Sequence, residues 1–109
     1  APSEATLSFT LNSSTVSVGY WVLGTVVVTD AGNNEMNNIR VTVYSAHADG
    51  TYLQFYYADG TPASSTFSVC TDDFGTYTFS IGAISAPTTS ATITAFSGAN
   101  YESQELTVQ

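Results

Sequence analysis

The sequence predicts an all-β domain: two antiparallel sheets packed as a β-sandwich of about 7–9 strands. Three observations carry this. Apolar and polar residues alternate almost everywhere at the period of two of a half-buried strand, and no stretch shows the spacing of a helix face. Clusters of Gly, Asn and Asp break the alternation at intervals of about ten residues, as turns between short strands do. The 109 residues are 43% hydrophobic and 13% aromatic, enough for one core and therefore one domain spanning 1–109. A closed barrel is the alternative way to bury so many half-apolar strands.

Residues 6–11 set Leu7, Phe9 and Leu11 on one face and Ser8 and Thr10 on the other. After the Asn12-Ser13-Ser14 turn, residues 15–20 repeat the pattern with Val16, Val18 and Tyr20 inward. Residues 24–30 contain Val26, Val27 and Val28, a run that reads as a strand buried on both sides. The Tyr20-Trp21 pair reads as a core and strand-edge anchor, from which Trp21 could extend a contact surface.

Asp30-Ala31-Gly32-Asn33-Asn34 is a turn cluster tolerant of positive φ. Residues 39–45 then direct Ile39, Val41 and Val43 inward and Arg40, Thr42 and Tyr44 outward. Ala48-Asp49-Gly50 turns the chain into a strand over 51–57, and Asp59-Gly60-Thr61-Pro62 turns it again. Residues 65–70 bury Phe67 and Val69, with Cys70 a small half-buried strand residue. Asp72-Asp73-Phe74-Gly75 leads into 76–81, which offers Tyr77, Phe79 and Ile81. Residues 90–97 supply Ala91, Ile93 and Ala95, and 102–108 close with Leu106 and Val108.

Several of these stretches resemble one family. Gly24-Thr25-Val26-Val27-Val28-Thr29-Asp30-Ala31-Gly32-Asn33 is similar to the strand and turn of bacterial Ig-like domains of the invasin/intimin type. Thr71-Asp72-Asp73-Phe74-Gly75-Thr76-Tyr77-Thr78-Phe79 resembles a later element of the same group, and Thr92-Ile93-Thr94-Ala95-Phe96 its terminal strand. The aromatic-rich stretch 51–57 and the Tyr20-Trp21 pair depart from the pattern. The resemblance implies an antiparallel Ig-like sandwich serving as a tandem spacer in a surface adhesin, and it transfers no catalytic residue.

Charge excludes much. Only 9% of the residues are charged, against a usual share near ~25%. Nine carboxylates face the single cation Arg40, for a formal net charge of −8. A chain without lysine cannot coat a phosphate backbone, so nucleic acid is excluded as a partner. The same deficit argues against anionic lipid surfaces, a P-loop and lysine-based covalent chemistry. No apolar run approaches the ~18–20 residues that a membrane-spanning helix needs. Abundant Ser and Thr give polarity without charge, the look of extracellular and cell-surface β proteins. The start at Ala1-Pro2-Ser3 fits a mature secreted protein or an excised module.

The chemistry-bearing residues point away from catalysis. His47 is the one histidine and shares a short loop with Asp49, which reads as a solvated turn. One His and one Cys do not make a zinc site. Nearly all the acids lie in turns, where they bond nearby backbone rather than form a glycosidase pair. No cofactor is expected, except that Asp30, Asp72 and Asp73, with Asn33, are candidate calcium ligands if the sandwich brings their loops to one end. Cys70 has no intrachain partner, which leaves an intermolecular disulfide as its alternative role. Asn12 opens a glycosylation sequon.

Two binding surfaces are legible. If 51–57 pairs with 39–45, then Tyr44, Tyr52 and Tyr56 form an outer aromatic row. Such a row serves as cross-strand pairs, as a protein contact, or as a platform for sugar rings. Residues 1–11 form a clean alternating strand after a polar leader. Leu7, Phe9 and Leu11 are thus strand-donation candidates, filling a groove in a neighbouring copy unless the strand docks on its own sheet. The expected partners are copies of the chain or adjacent tandem modules, with a glycan as the alternative.

Overall fold

A computed structural model of the chain describes residues 5–48, 50, 52–85, 90–98 and 100–109. Ala1, Pro2, Ser3, Asp49 and Thr51 lie outside the described residues, and with them the polar leader and part of the 48–51 turn. Ten strands form: β1 (Thr6–Leu11), β2 (Thr15–Val16), β3 (Trp21–Thr29), β4 (Arg40–Tyr44), β5 (Leu53–Tyr56), β6 (Pro62–Ala63), β7 (Thr66–Cys70), β8 (Thr76–Ala83), β9 (Ala91–Ser97) and β10 (Asn100–Val108). They make two five-stranded sheets, ordered β1-β3-β8-β5-β6 and β2-β10-β9-β4-β7. Together they are the predicted β-sandwich, with no helix among the described residues.

The alternation read from the sequence becomes the inside of the sandwich. Leu7, Phe9, Val26, Val28, Phe55, Phe79 and Ile81 from the first sheet meet Val41, Val43, Phe67, Ile93, Ala95 and Leu106 from the second. Phe67 crosses the interface, with its ring centroid 5.2 Å from Phe55 and 5.4 Å from Phe79, both edge-to-face. Such edge-on pairs align the ring edges with the electron-rich faces of their neighbours.

Four expectations need correction. β2 and β10 run parallel, Thr107 and Val108 lying beside Thr15 and Val16. The chain passes from β1 to the other sheet without reversing, so β2 keeps the direction that β10 also takes. β2 stops at Val16, so Val18 and Tyr20 are exposed rather than inward. The Val18 N–H donates to the carbonyl of Gln109 at the end of β10, and Gly19 then turns the chain with φ of 90°. Val27 is half-buried on an outer face, because among the described residues no further layer covers that sheet. Cys70 ends the edge strand β7 and is exposed.

β1 pairs antiparallel with β3 of its own sheet, from Thr6 opposite Thr29 to Leu11 opposite Gly24. Leu7 and Phe9 are buried in the chain's own core and Leu11 packs against it. As a strand-donation set these three are therefore docked at home. This pairing also fixes the poles of a molecule measuring 41 × 25 × 20 Å. The start of β1 lies beside the end of β3, while the end of β10 lies beside the segment that leads into β3.

The first pole is clamped by two turns. The Val28 N–H donates to the Gly75 carbonyl and the Met36 N–H to the Val28 carbonyl. Gly75 has φ of 69°, and a Cβ there would sit 2.6 Å from the Val28 carbonyl oxygen. Only glycine satisfies both demands.

Candidate functional site

A groove of about 320 Å³ opens on the outer face of the first sheet, near the second pole. Its position follows from strand parity. Val22, Val26 and Val28 face the core, so Trp21 and Leu23 face outward on the same strand. The ladder then sets Trp21 opposite Gly82 and Gly82 opposite Gln54, with Leu23, Ser80 and Tyr56 in the next row.

Gly82 gives the groove a flat floor. A Cβ at this position would lie 3.1 Å from Cε2 of Tyr56, so the tyrosine ring rests close over the β8 backbone. Tyr20, Trp21 and Ile84 rise around it with 67%, 66% and 44% of their surface exposed. The rim is held by backbone bonds: the Gly19 N–H donates to the Ala83 carbonyl, the Ala83 N–H to the Tyr20 carbonyl, and the Ile84 N–H to the Tyr52 carbonyl. Among the described residues, no carboxylate and no cation lines the groove. Its chemistry is that of aromatic faces and small polar edges, suited to an apolar or ring-shaped group without charge.

The expected aromatic row does not form. β4 pairs with β7 and β9, whereas β5 pairs with β6 and β8, so Tyr44 lies in the opposite sheet from Tyr52 and Tyr56. The link between β4 and β5 crosses from one sheet to the other. Within it the Ser45 N–H donates to the Ser65 carbonyl and the Leu53 N–H to the His47 carbonyl. Tyr56 is shared between the expected row and the groove. Tyr52 is exposed at the start of the β5 edge, its ring 6.1 Å from that of half-buried His47. Tyr20 and Trp21 are not core anchors: the turn at Gly19 and the outward parity of β3 expose both.

The calcium candidates do come to one pole, on the two clamped turns. The Asp30 and Asp72 carboxylates each bond the backbone of their own turn. Asp30 Oδ1 accepts from the N–H groups of Gly32 and Asn34, at 2.9 Å each, and from the Asn34 amide. The backbone N–H of Asn34 is the main influence holding the Asp30 carboxyl below its usual range. Asp72 Oδ1 accepts from the N–H groups of Phe74 and Thr76. Asp73 is exposed beside it. Among the described residues, no three His, Cys, Asp or Glu side chains are grouped so as to hold a metal ion.

Asn12 is exposed, and its side chain extends the β1–β3 ladder: Oδ1 accepts from the Leu23 N–H at 2.9 Å, while its own N–H donates to the Leu23 carbonyl. Thr71, at the start of the turn after β7, is buried. It donates from Oγ1 to the Met36 carbonyl and accepts from the Ile39 N–H.

No family model matches the chain, and no curated protein matches it. Solved structures do. Domains 4 and 5 of the S-layer protein SbsC align with a TM-score of 0.65 and 19% identity, over 95% of this chain and 46% of that one. The adhesin InvE of Yersinia pseudotuberculosis aligns with a TM-score of 0.71 and 15% identity, over 96% of this chain and 32% of that one. A conjugative transposon lipoprotein from Bacteroides eggerthii aligns with a TM-score of 0.62 and 6% identity, over 95% of this chain and 97% of that one. The class this defines is a β-sandwich domain. Its particular fold is the one shared with SbsC and InvE, each of which is more than twice as long as the stretch it has in common with this chain.

Proposed function

We propose that the chain is a non-catalytic structural module of a bacterial cell-surface or extracellular protein, an Ig-like domain of the invasin/intimin type acting as a building block or spacer. The observation that carries this reading is that the first strand, β1, starts at one pole of a 41 Å body and the last strand, β10, ends at the other. A domain entered at one pole and left at the other adds its full length to a tandem array. The fold shared with S-layer and adhesin domains supports the same role. The sparse charge of the strands supports it too: among the described residues only Arg40, Glu102 and Glu105 are charged positions within strands.

Assembly by strand donation forms no part of this reading, because β1 completes its own sheet. The Tyr44–Tyr52–Tyr56 platform for a glycan is likewise dropped, because those residues are split between sheets. Location tests the proposal. Antibody against the domain should label intact, unpermeabilised cells of the producing bacterium, and the label should vanish after mild external proteolysis. Label that appears only after permeabilisation overturns the reading.

A further inference from the structure

We infer that the aromatic groove at the second pole receives Phe74 from the first pole of another copy of this chain in a head-to-tail contact. The inference rests on the structural-module reading and adds the contact by which such modules meet.

Phe74 is the matching knob. It is 68% exposed at the tip of the turn between β7 and β8, at the pole opposite the groove. An exposed phenyl ring is costly to leave in water, and here the backbone bearing it is fixed in advance. The Phe74 and Thr76 N–H groups bond Asp72 Oδ1, the Thr76 hydroxyl donates to the Phe74 carbonyl, and the Gly75 carbonyl is tied to Val28. Docking this turn loses little further conformational freedom, and a buried aromatic anchor is the usual centre of a protein contact.

Charge selects the orientation. Asp30, Glu35, Asp72 and Asp73 lie in the turns of the first pole, with Arg40 at the start of β4 beside them. A head-to-head contact would set these four carboxylates against their copies. Head-to-tail instead places the acidic turn on a groove lined, among the described residues, by no ionised side chain. Such a contact joins different surfaces, and with knob and groove at opposite poles of the molecule it propagates as a linear array. Between tethered modules a weak contact suffices, because the linker holds the partner at an effective concentration in the millimolar range.

Sedimentation and small-angle scattering of the chain, up to about 1 mM, test the inference. The chain should form open-ended linear oligomers as concentration rises. Phe74→Ala and Trp21→Ala should each weaken association about 30-fold or more. Both residues are exposed, so unfolding curves should be unchanged; Ile84→Asp serves as a second groove variant. The decisive sample is a mixture of the two alanine variants. One keeps the groove and the other the knob, so they should form a one-to-one dimer and nothing longer.

A chain that stays monomeric throughout overturns the contact. So does association lost in Trp21→Ala but intact in Phe74→Ala, which would mean groove against groove. Binding of neutral oligosaccharides by a monomeric chain, abolished by Trp21→Ala, would assign the groove to a glycan instead. None of these outcomes alters the cell-labelling result, so failure of the contact is distinguishable from failure of the module reading.

Discussion

Thr71 shows how much one hydroxyl can do. Its Oγ1 lies 2.6 Å from the Met36 carbonyl oxygen and 2.9 Å from the Ile39 nitrogen, while its backbone exchanges bonds with Asn38 and Ile39. The side chain therefore pins the loop between β3 and β4 to the end of β7. Thr71→Val keeps the shape and deletes both side-chain bonds, leaving a donor and an acceptor in a part-buried site. The expected cost is about 1–3 kcal/mol, read as a lower urea midpoint with an unchanged slope. A loss under about 0.5 kcal/mol would show that water replaces the hydroxyl freely. Residues of this kind were not legible in the sequence, because a threonine beside a turn looks the same whether it clamps a distant loop or faces solvent. Gly24 was opaque for a similar reason. A Cβ there would meet Phe79 Cζ at 2.6 Å, a demand set by a ring 55 residues further along the chain. Trp21, by contrast, was legible in principle: its odd position relative to Val22, Val26 and Val28 already sent it outward.

At the scale of elements, alternation located nearly every strand, and β1 was found with its observed bounds, Thr6–Leu11. Partners were less legible. Period two states which side of a strand is buried but not which sheet it joins, so the sequence leaves a β4–β5 pairing open although the two lie in different sheets. β6 was missed because a two-residue strand containing Pro62 has no period to detect. Three of the four sheet edges are blunted without any lysine, β7 being the exception. β2 and β6 are only two residues long, and the Gln104 amide donates to the Phe9 carbonyl, occupying part of the β1 edge. The home docking of β1 has a measurable consequence. Phe9 is 2% exposed and its ring lies 6.0 Å from Phe79. Phe9→Ala should cost about 3–5 kcal/mol, a large share of the stability of a small domain. Its melting temperature, like that of the unmodified chain, should not change with protein concentration at dilutions below self-association. A strand borrowed from a neighbour would make it rise with concentration.

For the whole molecule, the decisive relation is between the poles and the strands that carry load. Tension applied at Ala5 draws β1 along its own axis, away from the first pole, while tension at Gln109 draws β10 toward the second. β1 is held to β3 over six residues in antiparallel register. Ladder bonds lie perpendicular to the strands, so a pull along the strand loads all of them together. A handle at Ser13 acts differently. That residue follows the end of β1, where Asn12 bonds Leu23, and it lies toward the same pole as Gln109. Pulling there peels the ladder open from one end, breaking its bonds in turn. Single-molecule stretching through residues 5 and 109 should therefore give a distinctly higher rupture force than stretching through 13 and 109. Forced unfolding reports the barrier and not the equilibrium stability, so the two geometries should differ even though the folded domain is the same. Equal forces would mean that the β1–β3 ladder is not the element that resists extension.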